Sequence, residues 1–236
     1  MANIEHSTLT GDEQHEPKGV DTATVNHTYV SDGAGSGTWK APVLGGQAES
    51  TVDQVYVADG AGGGTWKTAW SHGIEDHNDV TTTGTPIALT VANTAYPLTN
   101  DGAGSFTNLT YALPSSTPMW NVSTNQFEFN TAGLVLGDTV LFRIDIDIVN
   151  SGANGSFNIA MDLGIGSAGP YTLEVAREEF RYSGTFNMTA MFYVYMGDTN
   201  TLNFPARFTA SSDTTGDSLI VNGWVAQHNL QNPRYV

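Results

Sequence analysis

The sequence predicts an all-β protein: an extended N-terminal arm with two short hairpin repeats, then an antiparallel β-sandwich. Three observations carry this. The chain is rich in Gly, Thr, Asn and Ser, only 14% of its residues are charged, and it has no long Leu/Ala/Glu/Lys-rich stretch; that balance favours strands and turns. A twelve-residue unit occurs twice, each time with Tyr-Val leading into Asp-Gly, a strong hairpin signal. From Pro86 onward, short strand-like runs alternate with turn residues, a spacing that argues a sandwich or barrel and not a parallel α/β sheet.

Residues 1–28 show no sustained hydrophobic period and read as an extended arm, with His15-Glu16-Pro17-Lys18-Gly19 stopping any short helical turn before it. Residues 29–70 hold the repeats. Tyr29-Val-Ser-Asp-Gly-Ala-Gly-Ser-Gly-Thr-Trp39-Lys40 returns as Tyr56-Val-Ala-Asp-Gly-Ala-Gly-Gly-Gly-Thr-Trp66-Lys67, identical at ten of twelve positions. The expected unit is a tight hairpin with Tyr29 facing Trp39 and Tyr56 facing Trp66. One such hairpin buries no core of its own, so its aromatics need an outside surface. Residues 71–85, from Ser71-His72-Gly73-Ile74-Glu75-Asp76-His77 to Gly84, read as a polar hinge. Residues 86–236 form the sandwich, about the size of one core, with strands expected near 87–92, 106–112, 126–129, 139–149, 156–163, 171–182, 186–196, 202–209 and 218–227.

Two of these strands are the most informative. Over 139–149, Val140, Phe142, Ile144, Ile146 and Ile148 alternate with Leu141, Arg143, Asp145, Asp147 and Val149, giving one core face and one mostly polar face. Over 186–196, Phe186, Met188, Ala190, Phe192, Val194 and Met196 make the core face, but Met191, Tyr193 and Tyr195 make the other face apolar too. A sandwich strand has one side in its own core, so these three need cover from outside, and a subunit interface is expected there.

The charge excludes one class of partner. Twenty-four acids face eight Lys and Arg, a formal net charge of −16 with no basic stripe, so nucleic-acid binding is not expected. There is no secretory signal at Met1-Ala-Asn-Ile-Glu-His6 and no run long enough to span a membrane, so no membrane partner is expected. With no cysteine, thiol catalysis, disulfides and Cys-based zinc sites are excluded.

Nothing calls for an enzyme or a cofactor. His72 and His77 are spaced unlike a helical zinc pair, and no metal is expected there, although a trimer would place three copies of such histidines around an axis. Asp32, Asp59 and Asp101 each precede Gly-Ala-Gly without the further acids of a calcium loop, and are read as structural turns. Asp145 with Asp147, or Glu178 with Glu179, are candidate glycosidase carboxylates, but Arg143 on the same face offers a plain ion-pair explanation. Trp120 and Trp224 are expected in the core; if exposed, they would supply stacking faces for a carbohydrate.

Together, His15-Glu16-Pro17-Lys18-Gly19, the duplicated Tyr-Val-x-Asp-Gly-Ala-Gly-x-Gly-Thr-Trp-Lys and a C-terminal β domain resemble virion surface proteins of tailed bacteriophages, in particular head decoration or head-fibre proteins. The C-terminal part resembles a trimeric jelly roll of the tumour-necrosis-factor-like type. The resemblance implies a homotrimeric structural protein on the virion surface, its arm bound to the major capsid protein or another virion protein. By residue match it assigns attachment to His15, Glu16, Pro17 and Lys18, and to Tyr29, Trp39, Tyr56 and Trp66; the trimer contact falls to Met191, Tyr193 and Tyr195. The alternative is a tail fibre or a receptor- or carbohydrate-binding module, with a host surface glycan as partner.

Overall fold

The computed structural model describes residues 28–31, 37–40, 54–58, 64–113 and 118–235. The arm, including His15 to Lys18, the linker 41–53 and the two glycine-rich hairpin tips lie outside the described residues. The chain divides into two compact units, residues 1–68 and residues 69–236.

In the first unit, β1 (Thr28–Ser31) pairs antiparallel with β2 (Gly37–Lys40), and β3 (Gln54–Ala58) pairs with the start of β4 (Gly64–Asn78). Tyr29 is opposite Trp39, and Tyr56 is opposite Trp66. The duplicated sequence therefore makes the same hairpin twice, in the register expected of it.

The second unit takes the rest of β4, then α1 (Thr81–Gly84), β5 (Ile87–Leu89), β6 (Tyr96–Pro97), β7 (Trp120–Asn121), β8 (Gln126–Phe127), β9 (Thr139–Asn150), β10 (Gly155–Leu163), β11 (Tyr171–Phe180), β12 (Gly184–Tyr195), α2 (Thr199–Asn203), β13 (Arg207–Ser212) and β14 (Asp217–Tyr235). One sheet runs β4-β14-β9-β12 and the other β6-β13-β10-β11, with every neighbouring pair antiparallel. Because the last long strand β14 enters between β4 and β9, and β13 between β6 and β10, the connectivity is that of a jelly roll. The all-β sandwich expected from the sequence is the observed fold.

Period-two burial explains the layers. On β9, Val140, Phe142, Ile144, Ile146 and Ile148 are fully buried, as their alternation predicts. Phe142 is an aromatic hub: its ring centroid lies 5.0 Å from Phe127, 5.4 Å from Phe192 and 5.7 Å from Phe208. Trp120 and Trp224 are in this core, 4.5 Å apart and edge to face. They are in the core, as expected, and so are not exposed stacking faces for a carbohydrate.

Three expected elements are corrected. Residues 71–78, expected as hinge, are the paired body of β4, from His72 opposite Asn229 to Asn78 opposite Gly223. Its inward positions, Gly73, Glu75 and His77, are buried but not apolar, so the hydrophobic alternation that marks a strand is missing. Residues 106–112, expected as strand, follow the outer edge of β4 through a single bridge, Asp76 to Asn108, and a bond from Ile74 N–H to Tyr111. The Asn108 carboxamide accepts from Thr110 N–H at 2.9 Å, a local turn that ends the ladder. Residues 202–209 are not one strand: Asp198 caps the helical turn α2 by accepting from the amides of Asn200 and Thr201, and β13 starts only at Arg207.

Candidate interaction surface

The sheet β4-β14-β9-β12 ends at β12, whose inward side chains are covered and whose outward ones are not. Met188, Ala190 and Val194 are buried, while Met191, Tyr193 and Tyr195 are 62%, 69% and 55% exposed. This is the face assignment read from the sequence. The register continues the patch inward: Tyr193 lies opposite Leu141, and Leu141 opposite Gln227.

The other end of the same face is polar and locally satisfied. Asp145 accepts from Arg143 Nε at 2.8 Å and from Thr189 Oγ1 at 2.7 Å; Asp147 accepts from Asn187 Nδ2 at 2.9 Å. Asp145 has the ion pair with Arg143 that was weighed against a glycosidase role, and Asp147 is bound by the Asn187 amide. Glu178 and Glu179 are adjacent on a strand and so project to opposite sides of β11. From Tyr182 to Gly197 there is no charged residue at all. In a chain of net charge −16, an apolar row inside an uncharged stretch is where contact with another acidic copy meets least repulsion.

The predicted attachment residues are only partly placed. Tyr29, Trp39 and Tyr56 stand on described strands at the paired positions above, and Trp66 is half-buried. Asp101 is the turn residue expected: its carboxylate accepts from the amides of Val80, Thr81 and Ala103 and from the Thr81 hydroxyl. Burial works against these bonds, but together they hold its carboxyl below the usual aspartate range. Asp32 and Asp59 lie outside the described residues.

The former hinge holds a feature that the sequence did not reveal. Glu75, His77 and His228 are 0%, 3% and 0% exposed. His77 Nε2 is 3.1 Å from Glu75 Oε2, and His228 Nε2 is 3.5 Å from Glu75 Oε1. The Glu75 carboxylate also accepts from Met119 N–H, at 2.8 and 3.0 Å. His72, by contrast, is exposed; five positions from His77 on one strand, it projects to the opposite face and shares no site with it. The only sequence signal for this cluster was an acid and a histidine at i and i+2, since the third member is some 150 residues on.

No family model matches the sequence, and no curated protein does. Among solved structures, the Eiger TNF of S. frugiperda aligns over 69% of this chain and 95% of its own, at 12% identity and a TM-score of 0.39. The vertex protein P5 of PRD1 aligns over 79% and 86%, at 14% identity and a TM-score of 0.31. A Clostridium thermocellum xylanase with its CBM22-1 and GH10 modules, complexed with xylohexaose, aligns over 70% of this chain and 30% of its own, at 12% identity and a TM-score of 0.35. These scores are too low to carry an argument about what the chain does.

Proposed function

We propose that this is a structural virion protein of a tailed phage, without catalysis of its own: a homotrimer attached through residues 1–70 to the major capsid protein or another virion protein, with the jelly roll projecting from the surface. The observation that carries it is the exposed row Met191, Tyr193 and Tyr195 on an edge strand whose other face is already in the core. Solvent-facing strand positions are ordinarily polar, and a contiguous apolar row needs a partner. The two hairpins of identical register support the attachment half of the reading, because a duplicated aromatic pair suits two linked docking events whose second step is intramolecular.

The test uses the full chain. Analytical ultracentrifugation should give a trimer, and the protein should bind undecorated capsids of the cognate phage. Trp39→Ala and Trp66→Ala should each weaken capsid binding and leave the trimer intact. A monomer at micromolar concentration, or loss of the trimer by the tryptophan variants before any loss of capsid affinity, would overturn the assignment.

A further inference from the structure

The buried cluster on β4 and β14 has no part in either contact proposed above. We propose that Glu75, His77 and His228 form an acid-sensitive latch on the β4–β14 seam, in which proton uptake by His228 loosens pairing around residues 72–74 and 227–229 before the rest of the sandwich opens.

The geometry supplies both the latch and its weak point. The Glu75 carboxylate ties β4 to the loop before β7 through Met119 N–H and takes a bond from His77. His228 faces it from the neighbouring strand, fully buried, and neither of its ring nitrogens makes a hydrogen bond. Its cross-strand partner is Gly73. A Cβ there would sit 2.7 Å from the Tyr111 carbonyl oxygen, so the backbone of residue 111 requires glycine at this position, and His228 Nδ1, 3.4 Å from that Cβ, lies at ordinary contact distance. One pair further on, the β4–β14 ladder breaks, with a register shift between Asn229 and Arg234. The seam is therefore interrupted next to the imidazole.

The charged and titratable groups around His228 are Glu75 and His77 from β4 and the fully buried Asp138 from the turn before β9. Asp138 accepts from Gln231 N–H at 2.8 Å, within the break. Burial pushes the His228 imidazole below its ordinary range; Glu75 and Asp138 oppose this, and His77 adds to it. A histidine held neutral when folded binds its proton better when exposed. Stability is therefore full above the ordinary histidine value and declines as pH falls below it, until the folded group itself titrates. The seam can lower that cost by letting water reach one ring, without opening both sheets.

Amide hydrogen exchange on the full chain, corrected for intrinsic rates, tests this. Below about pH 6.5, protection at 72–74 and 227–229 should fall by up to about tenfold per pH unit, while β9, β10 and β13 keep theirs. His228→Gln should abolish the pH step. Uniform loss across all strands, or an unchanged step in His228→Gln, would overturn the proposal. If that variant does not fold, the wild-type His228 ring resonance is the readout: it must titrate together with the loss of protection, and titration with the seam amides still protected overturns the latch.

Discussion

Replacing Tyr193 and Tyr195 by Ser tests the trimer contact most directly. The two rings are 69% and 55% exposed in the single chain, so neither contributes much to its own core. An aromatic side chain buries about 150–250 Å² when covered, so full cover of what these two expose would remove roughly 190–310 Å² from water. At ~25 cal/mol per Å² that is about 5–8 kcal/mol, an upper bound before the costs of association. Truncation of one interface aromatic typically costs about 2 kcal/mol, and two give about 4, close to a thousandfold in dissociation constant. The assay is sedimentation equilibrium of wild type and double variant over a concentration series, with thermal melting of each under conditions where both are monomeric. The expected result is a large shift in assembly and monomer melts that agree closely. Equal assembly of the two proteins would refute the reasoning, and so would a monomer melt that falls as far as the assembly does, since the rings would then belong to the chain's own fold.

Phe142→Ala removes the hub of the aromatic core and should cost about 3–5 kcal/mol in denaturant unfolding, whatever the state of assembly. Asp198→Ala deletes the cap of α2 and should cost about 1 kcal/mol, seen as earlier melting. The amide of Thr201 chiefly holds the Asp198 carboxyl below the usual aspartate range, so this contribution is present at neutral pH and fades as pH falls through the folded value; the variant and wild type should converge in strong acid. The double change Trp39→Ala with Trp66→Ala should weaken capsid binding far more than either alone, measured by co-sedimentation with capsids, and leave the melting of the sandwich unchanged.

The strands that were legible in the sequence are those with one apolar and one polar face. β9 shows five aliphatic or aromatic residues at strict alternation, and no other local structure places them together. β12 was legible for the same reason, and the breach of the rule on its outer face marked the candidate site. β4 was not legible. Its inward residues are Gly73, Glu75 and His77: the first is explained only by the distant Tyr111 carbonyl, the second by the distant Met119 amide and His228, and the third by its bond to Glu75. Residues 106–112 failed the other way, with alternating side chains but no strand: Phe106 is 81% exposed and Tyr111 60%. α2 is five residues long, too short to display a helical period, and Asp198 was its only trace. Register was readable in the hairpins because the repeat sets Tyr and Trp at the same spacing on the two arms of each copy.

The two edge strands β11 and β12, consecutive in the chain and touching through Phe180 and Phe186, differ in how they deter unwanted pairing. The free edge of one sheet, β11, carries Glu174, Arg177, Glu178 and Glu179, charges that discourage a foreign strand from adding to it. The free edge of the other, β12, carries none, and its twelve residues from Gly184 to Tyr195 combine aromatics, Val and Met, the composition of a segment that stacks on itself. A newly made chain is therefore a hazard to its siblings until that edge is occupied. High expression, slow assembly or dilution from a complex should drive it toward insoluble strand-added aggregates, and a lysine placed at the outward Thr189 should raise the soluble yield while lowering the fraction that assembles.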